Sequence, residues 1–132
     1  MKKTVSLKNE GALAFSIKAR LKSIEFAFEG LVSFFKSQHN AIIHLVMTVL
    51  VFFAAIFFNI SKLEIIAITL AVGFVWAAEL FNTAIEKLAD MVSQEFHPTI
   101  KFIKDVSAAA VLLSAIAALI TGSIVFLPKL FS

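Results

Sequence analysis

Polar and apolar positions divide the chain into a polar start, one amphipathic stretch and three long apolar runs. Residues 1–11 are polar, and residues 1–12 read as a flexible lead-in to a single membrane domain over 13–132. From Leu13 to Lys36, apolar residues recur as Leu13, Ile17, Leu21, Ile24, Phe28, Leu31 and Phe35, in steps of three or four. That spacing lays one apolar stripe along a helix of about residues 13–37, with Lys18, Lys22, Glu25, Glu29 and Lys36 off the line. Ahead of a membrane span, the stripe predicts a helix lying at the membrane surface with its apolar face in the acyl boundary. A partner-facing or bundle-core helix shares the same pattern. Gly30 is a point where this helix could kink or end its first half.

Ser37-Gln38-His39-Asn40 is a polar junction. The first apolar run, about 41–58, is interrupted only by His44 and Thr48 among polar residues. A short turn over 59–64 leads to a second span, about 65–88. A polar loop, with Pro98 as breaker, is expected over 89–103, and a third span over about 104–127, stopped by Pro128. Each run approaches or exceeds the roughly 20 apolar residues that cross a bilayer as a helix. The expected fold is therefore all-α membrane: an N-terminal amphipathic surface helix and three transmembrane helices.

Composition agrees. Of 132 residues, 60% are hydrophobic, and the mean hydropathy of +0.94 is beyond a soluble domain of this size. The length allows one small unit. The absence of cysteine excludes disulfides, thiolate metal sites and a cysteine nucleophile. A net charge of +3 does not call for nucleic acid, because no basic run is interleaved with aromatics in a polar context. Met1-Lys2-Lys3 resembles the start of a signal peptide, but no short apolar core follows, which argues against cleavage. Ten of the twelve basic residues fall before the first span or around the loop between spans two and three; Lys62 and Lys129 fall on the other side. The N-terminus and that loop are thus expected to be cytoplasmic. The third span is rich in small residues, from Ser107 to Gly122, which let helices approach closely and point to self-association.

Carboxylates then change the picture. Glu79, Asn82, Glu86 and Asp90 are spaced three, four and four, so they share one narrow helix face at the end of the apolar run Ile65–Ala78. Ionisable groups in a membrane helix are costly and mark function by default. Around them the cytoplasmic boundary gathers Gln38, Asn40, Glu95, His97, Lys101, Lys104 and Asp105. Carboxylates and an amide suit magnesium, a hard oxygen-seeking ion. Lys104 suits phosphate oxygens, and Glu79, the deepest carboxylate, suits a general base. Metal, phosphate-neutralising cation and base are the parts of phosphoryl transfer. No Walker loop or kinase glycine-rich loop is present, so a nucleotide site would be unconventional. A proton-coupled transporter could use the same residue types.

The ordered set Glu79-Leu80-Phe81-Asn82-Thr83-Ala84-Ile85-Glu86, Asp90, Glu95-Phe96-His97, Lys104-Asp105 and Ala108-Ala109-Ala110-Val111 resembles the prokaryotic diacylglycerol kinase family, which includes undecaprenol kinases. The resemblance covers roughly residues 20–130; Ser23–Gly30 is similar to the family's surface helix, and Asn40 and His44 fit the start of its first span. It implies a homotrimer in the bacterial inner membrane, with shared active sites at the cytoplasmic interface. There ATP and Mg2+ serve to phosphorylate a lipid alcohol, diacylglycerol or undecaprenol. It further implies that Glu79 is the base, supported by Asn82, and that Glu86 is a magnesium ligand. Glu95, Phe96, His97, Lys104 and Asp105 would contact nucleotide, and Lys22 would contact phosphate from the surface helix.

One departure stands out. The family commonly carries a glutamate where this chain has Gln38, which would help Glu86 hold the metal, and a basic residue four positions later, here Ile42. A weaker metal site, compensation by a nearby carboxylate, and an impaired protein are all open. So is a non-enzymatic oligomeric transporter or structural subunit. His44 reads as a packing or hydrogen-bonded residue, Trp76 as packing, and the phenylalanines between 52 and 58 as lipid-facing or core. Asp90 reads either as a site member or as a helix-end partner of Lys87 or Lys101.

Overall fold

The computed structural model describes residues 16–131. They form four helices, α1 (Ile17–Ser37), α2 (His39–Phe57), α3 (Lys62–Val92) and α4 (Pro98–Leu130), with no strand among the described residues. The chain separates into two compact units, Met1–Ser33 and Phe34–Ser132, the division falling inside α1.

In the first unit, Ser16 precedes α1, and its hydroxyl accepts from the Ala19 N–H at 3.3 Å, satisfying one of the first-turn donors. The expected start near Leu13 lies outside the described residues. Ile17, Leu21, Ile24 and Phe28 are all more than half exposed, an apolar stripe without cover. Lys22 extends over the Phe26 ring at 5.5 Å. Gly30 does not end α1 and takes no positive φ; the helix runs through it to Ser37.

In the second unit, α2, α3 and α4 are each long and apolar enough to cross a membrane. The chain is a multi-pass membrane protein. Large side chains such as Phe53, Leu70, Phe74 and Leu119 are about two-thirds exposed or more, whereas the buried positions include Ala41, Ala55, Ile68, Ser107 and Ser114. Lipid outside and small residues inside are the expected division for a bundle in a bilayer. The stripe read along α1 ended at Phe35, but Phe34 is the side chain buried here. Both rings lie against Trp76, with centroids 6.2 and 5.5 Å away.

The connection between α2 and α3 is four residues of complementary caps. Ile60 N–H donates to Ala55 O and Asn59 N–H to Ile56 O, with Asn59 at φ 47°. This pattern satisfies the last carbonyls of α2, and asparagine tolerates the left-handed turn it needs. Ser61 then caps α3: its hydroxyl accepts from Glu64 N–H at 3.3 Å, and the Glu64 carboxylate accepts from Ser61 N–H at 2.6 Å.

The second and third spans are longer than their apolar runs. Nothing in 89–92 breaks a helix, so α3 continues to Val92 and the expected loop over 89–103 shrinks to residues 93–97. Pro98 starts α4 rather than breaking the chain before it, because a first-turn residue needs no N–H partner. The His97 ring caps that end, its Nδ1 accepting from Thr99 N–H at 3.2 Å. Pro128 does not stop α4, which runs on to Leu130; a proline this close to the end removes a single backbone bond.

Cross-helix bonds set the directions. On α2 and α3, His44 meets Glu79 and Thr48 meets Trp76, so four steps along one helix match three steps back along the other. On α3 and α4, Glu64 pairs with Lys129, Asn82 with Ser107 and Asp90 with Lys104. Each pair of neighbours is antiparallel. The two ion pairs at the ends of α3 lie about 39 Å apart along its axis at 1.5 Å per residue, close to the full thickness of a bilayer with its headgroups.

Candidate functional site

Glu79 lies one turn beyond Trp76 on α3 and is only 9% exposed. Its Oε1 is 2.7 Å from His44 Nε2 on α2. His44 is itself held: the Thr48 hydroxyl donates to the His44 carbonyl at 2.7 Å, and Trp76 Nε1–H donates to the Thr48 hydroxyl at 3.0 Å. The Trp76 ring also meets the His44 ring edge-on, centroids 6.1 Å apart. The deepest carboxylate of the stripe is thus fixed by two rungs between α2 and α3.

One turn on, Asn82 is oriented from both sides. Its Oδ1 accepts from the buried Ser107 hydroxyl on α4 at 2.7 Å, and its Nδ2 donates to Glu86 Oε1 at 3.1 Å. Ser107 Oγ also lies 2.9 Å from the Lys104 carbonyl, so its one proton has two acceptors in reach. Asn82 and Glu86, both partly buried, form one connected polar patch, as their shared helix face predicted.

Beyond α3 opens a cleft of about 340 Å³, bounded by the 93–97 loop and the first two turns of α4. Glu95, Phe96, His97, Lys104 and Asp105 all line it, joined by Asp90. Both lysines on its wall are occupied by carboxylates: Lys104 by Asp90 and Lys101 by Asp105. Asp90 therefore reaches neither of the partners the sequence suggested, Lys87 or Lys101, but the lysine one helix away. His97 spends Nδ1 on its cap, so a neutral ring carries its proton on Nε2.

Gln38 stands just before α2, half-buried, with no side-chain bond to the helix it precedes and none to Glu86. Lys22 belongs to the first unit. Among the described residues no group of three or more His, Asp or Glu side chains is arranged to hold a metal ion. Magnesium does not need one. It is commonly held by one or two carboxylates together with substrate phosphates and water. Glu86, partly exposed and only singly bonded, fits that donor chemistry.

His44, expected as a packing or hydrogen-bonded histidine, is hydrogen-bonded, with Glu79 as its partner. Ser107 reads in the sequence only as one of the third span's many small residues, yet it bonds Asn82. Neither has a local signal; each is identified by its partner on another helix.

The family model for prokaryotic diacylglycerol kinase matches residues 25–126. The chain belongs to the prokaryotic diacylglycerol kinase family. It is 38% identical over 113 residues to a diacylglycerol kinase of Synechocystis sp., a match covering 85% of this chain and 65% of that protein. It is 33% identical to an undecaprenol kinase of Bacillus subtilis, covering 83% of this chain and 89% of the relative. A diacylglycerol kinase of Haemophilus influenzae is 30% identical, covering 80% and 91%. Membership places the chain in a family of lipid kinases, and the polar residues gathered around α3 lie within the matched region.

Proposed function

We propose that the protein is an ATP- and magnesium-dependent lipid kinase that phosphorylates diacylglycerol at the cytoplasmic face of the inner membrane. The observation that carries this reading is Glu79. In a lipid-kinase family member, a carboxylate buried where the apolar run ends, and held by a hydrogen bond, sits where a lipid hydroxyl meets the polar layer.

In this reading Glu79 takes the proton of the acceptor hydroxyl as its O–H bond breaks, and the oxygen attacks the γ-phosphorus of ATP. The γ-phosphorus then loses its bond to the bridging oxygen, and ADP leaves. Asn82, fixed by Ser107, holds the Glu86 carboxylate in place. Glu86, with the Gln38 carbonyl oxygen, would hold magnesium, which when bound neutralises charge on the phosphate oxygens. Lys104 exchanges Asp90 for a phosphate oxygen in the cleft. The N-terminal end of the 33-residue α4 borders the same cleft, and its dipole favours an anion there.

The distribution of basic residues supports a cytoplasmic N-terminus and 93–97 loop. The exposed faces of three thin spans support a homo-oligomer, a trimer in the family's pattern, with sites completed between subunits. The exposed stripe of α1 supports a membrane-surface position for that helix. A second reading of the acceptor, undecaprenol, is favoured by the Bacillus subtilis relative, 89% of whose length is matched.

Reconstituted protein supplied with radiolabelled ATP, magnesium and separate vesicles of diacylglycerol and undecaprenol tests the proposal. Label on diacylglycerol supports it. Label confined to undecaprenol moves the protein to the second reading, and no labelled lipid overturns the kinase assignment.

A further inference from the structure

We infer that His44 is a positioning residue for this reaction: it holds Glu79 through Oε1 so that the other carboxylate oxygen, Oε2, is the one that receives the acceptor's proton. The inference rests on the reading of Glu79 as the base.

The physical argument begins with the 2.7 Å contact between His44 Nε2 and Glu79 Oε1. An ionised carboxylate only accepts, so Nε2 carries the proton and donates it into this bond. A glutamate's terminal torsion is otherwise broad and nearly two-fold, leaving the carboxylate plane free to turn. With Oε1 occupied, the plane is set and the two oxygens become inequivalent. His44 can do this because it is held in turn: Thr48 bonds its carbonyl, and Trp76 bonds Thr48 and packs against the ring. Phe34 and Phe35 also pack against Trp76. When Oε2 takes the hydroxyl proton, Oε1 becomes the carbonyl oxygen of a neutral acid and still accepts from Nε2–H. The histidine proton therefore never moves, and the base keeps one geometry before and after transfer. A largely apolar cavity of about 470 Å³, reaching from His44 and Trp76 to Phe126, adjoins the histidine.

The test uses steady-state turnover of the reconstituted protein on the acceptor lipid it labels. His44→Leu should lower kcat about tenfold to a hundredfold, a share of the roughly 100- to 10,000-fold that a positioned acid–base group contributes, while KM for ATP stays within about twofold. His44→Gln keeps an N–H donor at the distance of Nε2 and should recover kcat to within about threefold of the parent. His44→Asn keeps polarity but falls short of Oε1, and should be as slow as His44→Leu. The double variant Glu79→Gln with His44→Leu should be no slower than Glu79→Gln alone, because the two act as a unit. Parental kcat in His44→Leu, equal rates for His44→Gln and His44→Asn, or an additive loss in the double variant would each overturn the proposal. The Gln and Asn comparison decides the matter even if His44→Leu does not fold. Substantial turnover in Glu79→Gln removes the base itself and this inference with it. An inactive Glu79→Gln beside unaffected His44 variants sinks the role of His44 alone.

Discussion

Ser107 on α4 donates to Asn82 Oδ1 on α3 at 2.7 Å, and the same amide donates through Nδ2 to Glu86 Oε1 at 3.1 Å, so Asn82 ties the Glu86 carboxylate to α4. Without the serine hydroxyl the amide keeps its bond to Glu86, which can only accept, but loses its anchor on the neighbouring helix. Ser107→Ala should therefore loosen Asn82 and Glu86 together. Removing one partner of a buried hydrogen bond costs about 1–3 kcal/mol. We expect a lower melting temperature in detergent and a several-fold fall in kcat, with Ser107→Thr closer to the parent. A parental kcat in Ser107→Ala would show that anchoring Asn82 to α4 does not matter to turnover.

Glu79→Gln keeps the shape of the side chain but cannot take a proton. Turnover should fall by at least about 100-fold, the lower part of the range for a general base, while nucleotide affinity stays near the parent's. Binding of a fluorescent ATP analogue measured beside lipid phosphorylation separates the two. Retained turnover would take Glu79 out of the role of base.

The metal reading is tested from both sides of the site. Glu86→Gln should raise the magnesium concentration needed for half-maximal activity, since Gln38 is already neutral and a principal charged ligand is lost. Gln38→Glu should lower it, because a carboxylate beside the ion adds an attraction that is stronger in a partly dehydrated site than in water. A magnesium titration of parent and both variants decides. Unchanged or weaker metal dependence in Gln38→Glu would place Gln38 outside the ligand set.

Asp90 and Lys104 form a partly exposed ion pair on the wall of the cleft. Such pairs are worth about 0.2–1 kcal/mol, so releasing Lys104 to phosphate should change affinity by no more than about fivefold. Asp90→Asn should accordingly lower KM for ATP by up to that factor at low ionic strength, and the gain should shrink as salt is added. A rise in KM instead would mean that Asp90 contributes to nucleotide or metal binding directly.

The turn between α2 and α3 depends on Asn59 at φ 47°. A β-branched residue there meets the steric penalty of the left-handed region, roughly 1–2 kcal/mol. Asn59→Val should lower thermal stability by that amount, and Asn59→Gly should not. Because the turn lies beyond the opposite end of the spans from the cleft, KM for ATP should be unchanged in both, as measured by the same lipid phosphorylation assay.

How far the chain can be read without its fold follows from the range of each interaction. Three membrane helices, the amphipathic helix before them and the single face shared by Glu79, Asn82, Glu86 and Asp90 are properties of helical period and local hydropathy, so the amino-acid order alone establishes them. Helix ends were less legible. Pro98 and Pro128 looked like stops because proline lacks an N–H, yet one sits where no N–H is needed and the other where only one bond is lost. The Ser61–Glu64 cap, by contrast, is legible in the Ser-x-x-Glu spacing alone. What no local pattern contains is the register between helices. His44 against Glu79, Ser107 against Asn82 and Lys104 against Asp90 join residues 35, 25 and 14 positions apart. Each pairing depends on how α2, α3 and α4 slide and turn against one another, which packing of small side chains such as Ala41, Ser107 and Ser114 sets. A histidine, a serine and an aspartate in membrane-spanning helices are ambiguous by composition; their partners across the bundle give them their roles.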